Sequence, residues 1–106
     1  MNQMTDIEPM AIASKAAEAA RMLRSLANQH RLLILCILAN GELPVGALQA
    51  QVELSQSALS QHLARLREEG LVATRREGTS IVYRIADPAV LQIMMTLAAI
   101  YCPPEN

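Results

Sequence analysis

Leu54-Ser55-Gln56-Ser57-Ala58-Leu59-Ser60-Gln61-His62-Leu63-Ala64-Arg65-Leu66-Arg67-Glu68-Glu69-Gly70-Leu71-Val72 is the stretch whose reading decides the fold. It opens on a helix cap, because the Ser55 hydroxyl can accept an orphan backbone N–H of the first turn. It closes on Gly70, which suits the left-handed position that ends a helix. Between them Leu59, Leu63 and Leu66 recur at helical spacing and form one apolar stripe. At about 100° per residue, Ser57, Ser60, Gln61, Ala64 and Arg65 turn to the other side. The first two turns of that outer face hold neither acid nor lysine, only hydroxyls and amides. Ser and Gln side chains donate and accept toward base edges and phosphates. The stretch therefore reads as a recognition helix, with Gln56, Ser57, Ser60, Gln61 and Arg65 facing the major groove of DNA.

The residues just before it support this reading. Leu43-Pro44 breaks the chain, with Pro near a helix start. Val45 to Gln51 is then a short helix with Leu48 inward, and Val52-Glu53-Leu54 is a tight turn. Short helix, turn and longer helix make a helix-turn-helix. After Gly70 the period changes from helical to alternating. Leu71 to Arg76 and Ser80 to Ile85 are β-prone, with Glu77-Gly78 as the hairpin tip. This is a two-stranded wing, and Arg75, Arg76 and Thr79 near its tip suit backbone or minor-groove contacts.

Further out lie three more helices. Residues 12–25 are Ala-rich and helix-favouring, with Leu23 and Leu26 as large anchors. Asn28 caps a second helix, from about Gln29 to Ala39, stopped by Asn40-Gly41. That helix is apolar on more than one face, as a central helix should be. Asp87-Pro88 opens the last helix. From Val90 to Tyr101 it is apolar nearly all round, interrupted only by Gln92 and Thr96. A small domain cannot satisfy such a helix alone, so a second surface must cover it. The economical solution is a two-fold homodimer built from the first and last helices.

The fold class expected is mainly α with a small two-stranded β wing, a winged helix-turn-helix. Residues 11–102 form one domain, residues 1–10 a disordered N-terminal tail and residues 103–106 a C-terminal tail.

Composition bounds this picture. A chain of 106 residues is one domain. It has no Trp and no Phe, so its core is built from aliphatic side chains. No apolar run approaches the roughly 18 residues of a membrane span. The N-terminus lacks a basic stretch followed by an apolar run, so no signal peptide is expected and the cytoplasm is the expected location. The net charge of −1 is weak evidence for a nucleic-acid partner. Its distribution says more: residues 55–86 carry five Arg against three Glu, while both flanks are net acidic. Eight of the nine basic residues are Arg, which favours bidentate phosphate contacts. There is no Cys-x-x-Cys, no βαβ pattern and no Gly-rich loop, so no enzyme, catalytic residue or cofactor is expected.

The run Leu54 to Leu63, with Leu26-Ala27-Asn28, Arg31 to Leu35, Glu42 to Leu48, Gly70-Leu71-Val72 and Arg75-Arg76-Glu77-Gly78, resembles the ArsR family of bacterial winged-helix repressors. The resemblance covers roughly residues 15–102. It implies a homodimer that binds an inverted-repeat operator in double-stranded DNA and is released by a chemical signal, commonly a metal ion. The metal-sensing members carry Cys-x-Cys in the helix before the recognition helix, where this chain has Pro44 and Gly46. The last helix has no His, and its only acid is the cap residue Asp87. Neither usual metal site is present, which leaves an unusual dimer-bridging site as the metal alternative.

What remains is Cys36 and Cys102. Their places are similar to those of the paired cysteines in the sulfur- and redox-responsive branch, the BigR- and HlyU-type regulators. That likeness implies a dithiol switch: the reduced protein binds its operator, and linkage of Cys36 and Cys102 by persulfide, polysulfide or oxidant releases it. Two alternatives stand beside it. Cys36 in an apolar helix is also an ordinary small core residue. The protein can also be a constitutive repressor or anti-repressor without a thiol signal. His62 reads as a packed, hydrogen-bonded histidine at the edge of the apolar stripe, and His30 as an ordinary surface residue.

Overall fold

A computed structural model describes residues 8–103. The elements follow the order α1 (Pro9–Leu26), α2 (Gln29–Leu38), β1 (Leu43–Pro44), α3 (Val45–Ala50), α4 (Gln56–Glu68), β2 (Val72–Glu77), β3 (Ser80–Ile85) and α5 (Pro88–Tyr101). This is a winged helix-turn-helix.

Local signals set most of the boundaries. The Asn28 side chain accepts from the backbone N–H groups of His30 and Arg31 at 2.9 and 3.1 Å. Ser55 Oγ accepts from the Ala58 N–H at 3.1 Å, and Asp87 from the Ala89 N–H at 2.9 Å. Each satisfies first-turn donors that have no partner within their own helix. Gly70 sits at φ 76°, where a Cβ would be strained, and lets the Leu71 N–H close back on the Leu66 carbonyl at 2.9 Å.

Three boundaries differ from the sequence expectation. Helix α1 starts at Pro9, inside the stretch expected to be tail, because Glu8 serves as its N-cap and Pro takes the first turn. The rest of that expected tail, residues 1–7, and residues 104–106 lie outside the described residues. The sheet has three strands in the order β1-β3-β2 rather than two. Leu43 pairs with Tyr83 and Pro44 with Val82. Two residues are too short to show an alternation, and a proline without an N–H is tolerated on such an edge strand. The hairpin closes one residue later than expected: Glu77 pairs with Ser80, and Gly78 at φ 63° opens a Gly78-Thr79 loop.

The core is aliphatic. Ile34, Leu35, Leu48, Leu59, Leu63, Leu66, Val90 and Met94 are its largest fully buried side chains. Leu59, Leu63 and Leu66 hold α4 in place; burying each contributes about 1.5–3 kcal/mol. A 13-residue helix has little stability alone, so this packing aims its outer face. In α1 the anchors are Leu26 and the half-buried Met22, whereas Leu23 points outward and is 57% exposed. In α5 only Val90 and Met94 are fully buried. Met95, Ile100 and Tyr101 on α5 are 63%, 61% and 77% exposed, and Met10 on α1 is 80% exposed. Among the described residues, no helix is long and apolar enough to cross a membrane.

Candidate nucleic-acid interface and thiol pair

The apolar stripe of α4 faces the core, so its other side faces out by geometry. Gln56, Ser57, Ser60, Gln61, Ala64 and Arg65 are all exposed. Ser57 Oγ lies 3.4 Å from the capping Ser55 Oγ. The outer face is thus a set of exposed hydroxyls and amides on a packed support.

The arginines assigned to DNA divide into two kinds. Arg76 and Thr79 are exposed on the wing. Arg75 is held by two carboxylates. Its Nε donates to Glu42 at 3.3 Å, its Nη2 donates to the other Glu42 oxygen, and its Nη1 donates to Glu77 at 3.0 Å. The guanidinium holds the Glu42 carboxyl below its ordinary pKa. Arg65 Nε donates to Glu69 Oε2 at 3.1 Å, one turn further along α4. Sequence reading missed Glu42 as a partner, because 33 residues separate it from Arg75 and only the sheet brings them together.

Between α4 and the wing lies a crevice of about 480 Å³, lined by Ser60, Ala64, Arg67, Glu68 and Tyr83. Arg67 and Tyr83 also escaped the sequence reading. In the one-dimensional pattern they are the last turn of a helix and one step of a strand.

Behind the reading face, α2 and α4 meet at His30 and His62, whose ring centroids are 5.7 Å apart. Burial, then the charges of Arg31 and His30, hold His62 below its ordinary pKa. It is half-buried against His30, and its ring makes no hydrogen bond to another described residue, contrary to the hydrogen-bonded histidine expected.

The thiols lie where α2 meets α5. Both are free. Cys36 presents part of its surface to solvent, while its sulfur packs on α5, with Sγ 3.7 Å from Met94 Sδ. Met94, Ala98 and Cys102 follow one another at i, i+4 and i+8 along α5, so Cys102 lies on the same face as the Cys36 contact. Cys102 is the C-cap of α5. Burial, and then the nearby Cys102, push the Cys36 thiol above its ordinary pKa. Among the described residues, no group of three or more His, Cys, Asp or Glu side chains is placed to hold a metal ion.

A winged helix-turn-helix with an exposed Ser/Gln recognition face is the architecture of a DNA-binding transcriptional regulator, not of an enzyme. Residues 28–74 match the model of bacterial regulatory proteins of the arsR family, and the chain belongs to that family. It is 44% identical over 96 residues to the biofilm growth-associated repressor of Agrobacterium fabrum, covering 91% of this chain and 82% of that one. It is 47% identical over 87 residues to the transcriptional activator HlyU of Vibrio cholerae, covering 82% of this chain and 81% of that one. The reduced form of that HlyU superposes with a TM-score of 0.82 over 87% of this chain and 97% of that one, at 44% identity. The transcriptional repressor BigR of Xylella fastidiosa superposes with a TM-score of 0.86 over 91% of this chain and 98% of that one, at 36% identity.

Proposed function

We propose that the protein is a homodimeric transcriptional regulator that binds an inverted-repeat operator when Cys36 and Cys102 are reduced and is released when they are linked. The observation that carries the DNA reading is the exposed row Gln56, Ser57, Ser60 and Gln61 on a helix whose other face is fully packed. Arg76 and Thr79 extend the contact along the wing, while the pairing of Arg75 with Glu42 gives it the job of holding the wing. The uncovered apolar residues of α1 and α5 favour a second copy as the partner, in line with the two-fold symmetry of an inverted repeat.

The thiol reading rests on the packing of Cys36 against α5 and its electrostatic coupling to Cys102. Burial disfavours the Cys36 thiolate, and Cys102 caps the exposed end of α5, where an inducer meets it first. With an organic trisulfide as inducer, the Cys102 thiolate attacks the central sulfur and expels one thiol. Cys36 then attacks that same sulfur, expels the second thiol and loses its proton to water. One sulfur atom is left between the two cysteines, and the inducer is reduced to two thiols. Such a bridge changes how α5 sits on α2. In a dimer it changes the spacing of the two α4 helices, which must match about 34–36 Å on DNA.

The test is fluorescence anisotropy on inverted-repeat duplexes selected by the protein, before and after dimethyl trisulfide, with intact mass in parallel. The expected result is loss of binding with one sulfur gained between the cysteines, and no release in Cys36→Ser. Release from Cys36→Ser, or unchanged binding by the bridged wild-type protein, would exclude the switch. Unchanged binding would leave a regulator without a thiol signal.

A further inference from the structure

The crevice between α4 and β3 gathers three hydrogen-bond donors, with Ser60 at the edge of the outward row of α4 and Arg67 and Tyr83 outside it. Ser60 and Tyr83 bring hydroxyls and Arg67 a guanidinium. None of the three takes part in a side-chain hydrogen bond or ion pair among the described residues, whereas Arg65 and Arg75 are each bound by carboxylate. The position of Tyr83 is set from two sides. Its ring packs against the core, and its backbone is the central register point of the sheet, opposite Leu43 on β1 and Thr74 on β2. Ala64 also lines the crevice and brings only a methyl group. Glu68 stands at the same crevice with no ionic partner among the described residues.

This inference rests on the DNA-binding reading above. With α4 in the major groove and the wing over the adjacent minor groove, the sugar-phosphate strand between the two grooves has to cross the gap between α4 and β3. We propose that the crevice seats a backbone phosphate of that strand, held by Arg67, Tyr83 and Ser60 and opposed by Glu68. The guanidinium and the two hydroxyls match a phosphate, with charge from one and directional bonds from the others. A phosphate contact fixes register and carries no base information, so the seat orients the Gln61 face without choosing the sequence. Glu68 repels every phosphate alike and keeps non-specific affinity down. It thereby accounts for an acid placed, against the helix dipole, in the last turn of a DNA-reading helix.

The experiment measures the dissociation constant against salt concentration for the full chain, on its selected operator and on an unrelated duplex. Arg67→Ala is expected to lower the slope of log affinity against log salt by about one per half-site on both duplexes. Tyr83→Phe keeps the packed ring and is expected to weaken both about five- to tenfold while leaving the slope unchanged. Glu68→Gln is expected to strengthen both. Gln61→Ala serves as the reference, expected to erase the preference for the operator. If Gln61→Ala erases that preference while Arg67→Ala and Tyr83→Phe leave affinity and slope unchanged, the seat is wrong and the DNA reading stands. If the wild-type chain binds neither duplex, both fall together.

Discussion

Cys36 Sγ on α2 lies 3.7 Å from Met94 Sδ on α5, so the candidate sensing thiol is packed against the helix that carries its partner, Cys102. Burial and the proximity of Cys102 both disfavour the Cys36 thiolate. The rate of Cys36 alkylation by iodoacetamide, followed by peptide mass, should therefore rise with pH through a midpoint above the ordinary value of 9.0. In Cys102→Ser that midpoint should move down, because the neighbouring thiolate no longer opposes ionisation. A midpoint below 9.0 in the wild-type chain would contradict this environment.

Arg75 is already neutralised by Glu42 and Glu77, so it has little charge to offer DNA. Arg75→Ala is expected to leave the salt dependence of DNA binding nearly unchanged. Glu42→Gln frees part of the guanidinium and is expected to strengthen binding and steepen that dependence. Anisotropy titrations at several salt concentrations check both. A large loss of slope in Arg75→Ala would show that DNA takes Arg75 from its carboxylates.

His62 has a folded-state pKa below its ordinary value of 6.5, so the unfolded chain takes up this proton first as pH falls. The stability that His62 contributes is therefore present above about 6.5 and is lost as pH drops through its folded pKa. The melting temperature should fall between pH 7 and 5, and His62→Gln should flatten that part of the profile. The same slope in the variant would place the effect elsewhere.

Leu63 is 1% exposed beneath the reading face. Leu63→Ala should cost about 2–5 kcal/mol in urea unfolding, from lost transfer energy plus the cavity left behind. Gln61→Ala, two residues away on the exposed face, should leave the unfolding midpoint within a few tenths of a molar. Similar losses in both would mean that the two faces of α4 are not energetically separate.

Ile100 is 61% exposed on the uncovered side of α5. Ile100→Glu places a charge on the surface assigned to the second copy. It should raise the dimer dissociation constant by at least tenfold in sedimentation velocity and lower operator affinity with it. A dimer of unchanged affinity would move the interface away from the end of α5.

Much of the fold was legible in the chain because it is written locally. Asn28, Ser55 and Asp87 cap their helices through hydrogen bonds spanning two or three residues, and the Leu59, Leu63 and Leu66 spacing orients α4 without help from distant residues. The outward Ser/Gln row follows from that stripe alone. The start of α1 was harder to read, since Glu8 is not among the preferred caps. The third strand was invisible, because two residues cannot show a period and β1 exists only through its pairing with β3.

The sequence by itself determined that there is a capped helix with an outward Ser/Gln row, a wing, an over-apolar last helix and two widely spaced thiols. Tertiary structure alone decided which charges are available and which groups meet. It spent Arg75 on Glu42 across 33 residues of chain, set Arg67 beside Tyr83 with no ionic partner among the described residues, and laid Cys36 on the helix that ends in Cys102. The physical reason is range. Caps and stripes are contacts between near neighbours in the chain, whereas ion pairs, crevices and thiol proximity are contacts across elements, and their distances exist only once the core has closed.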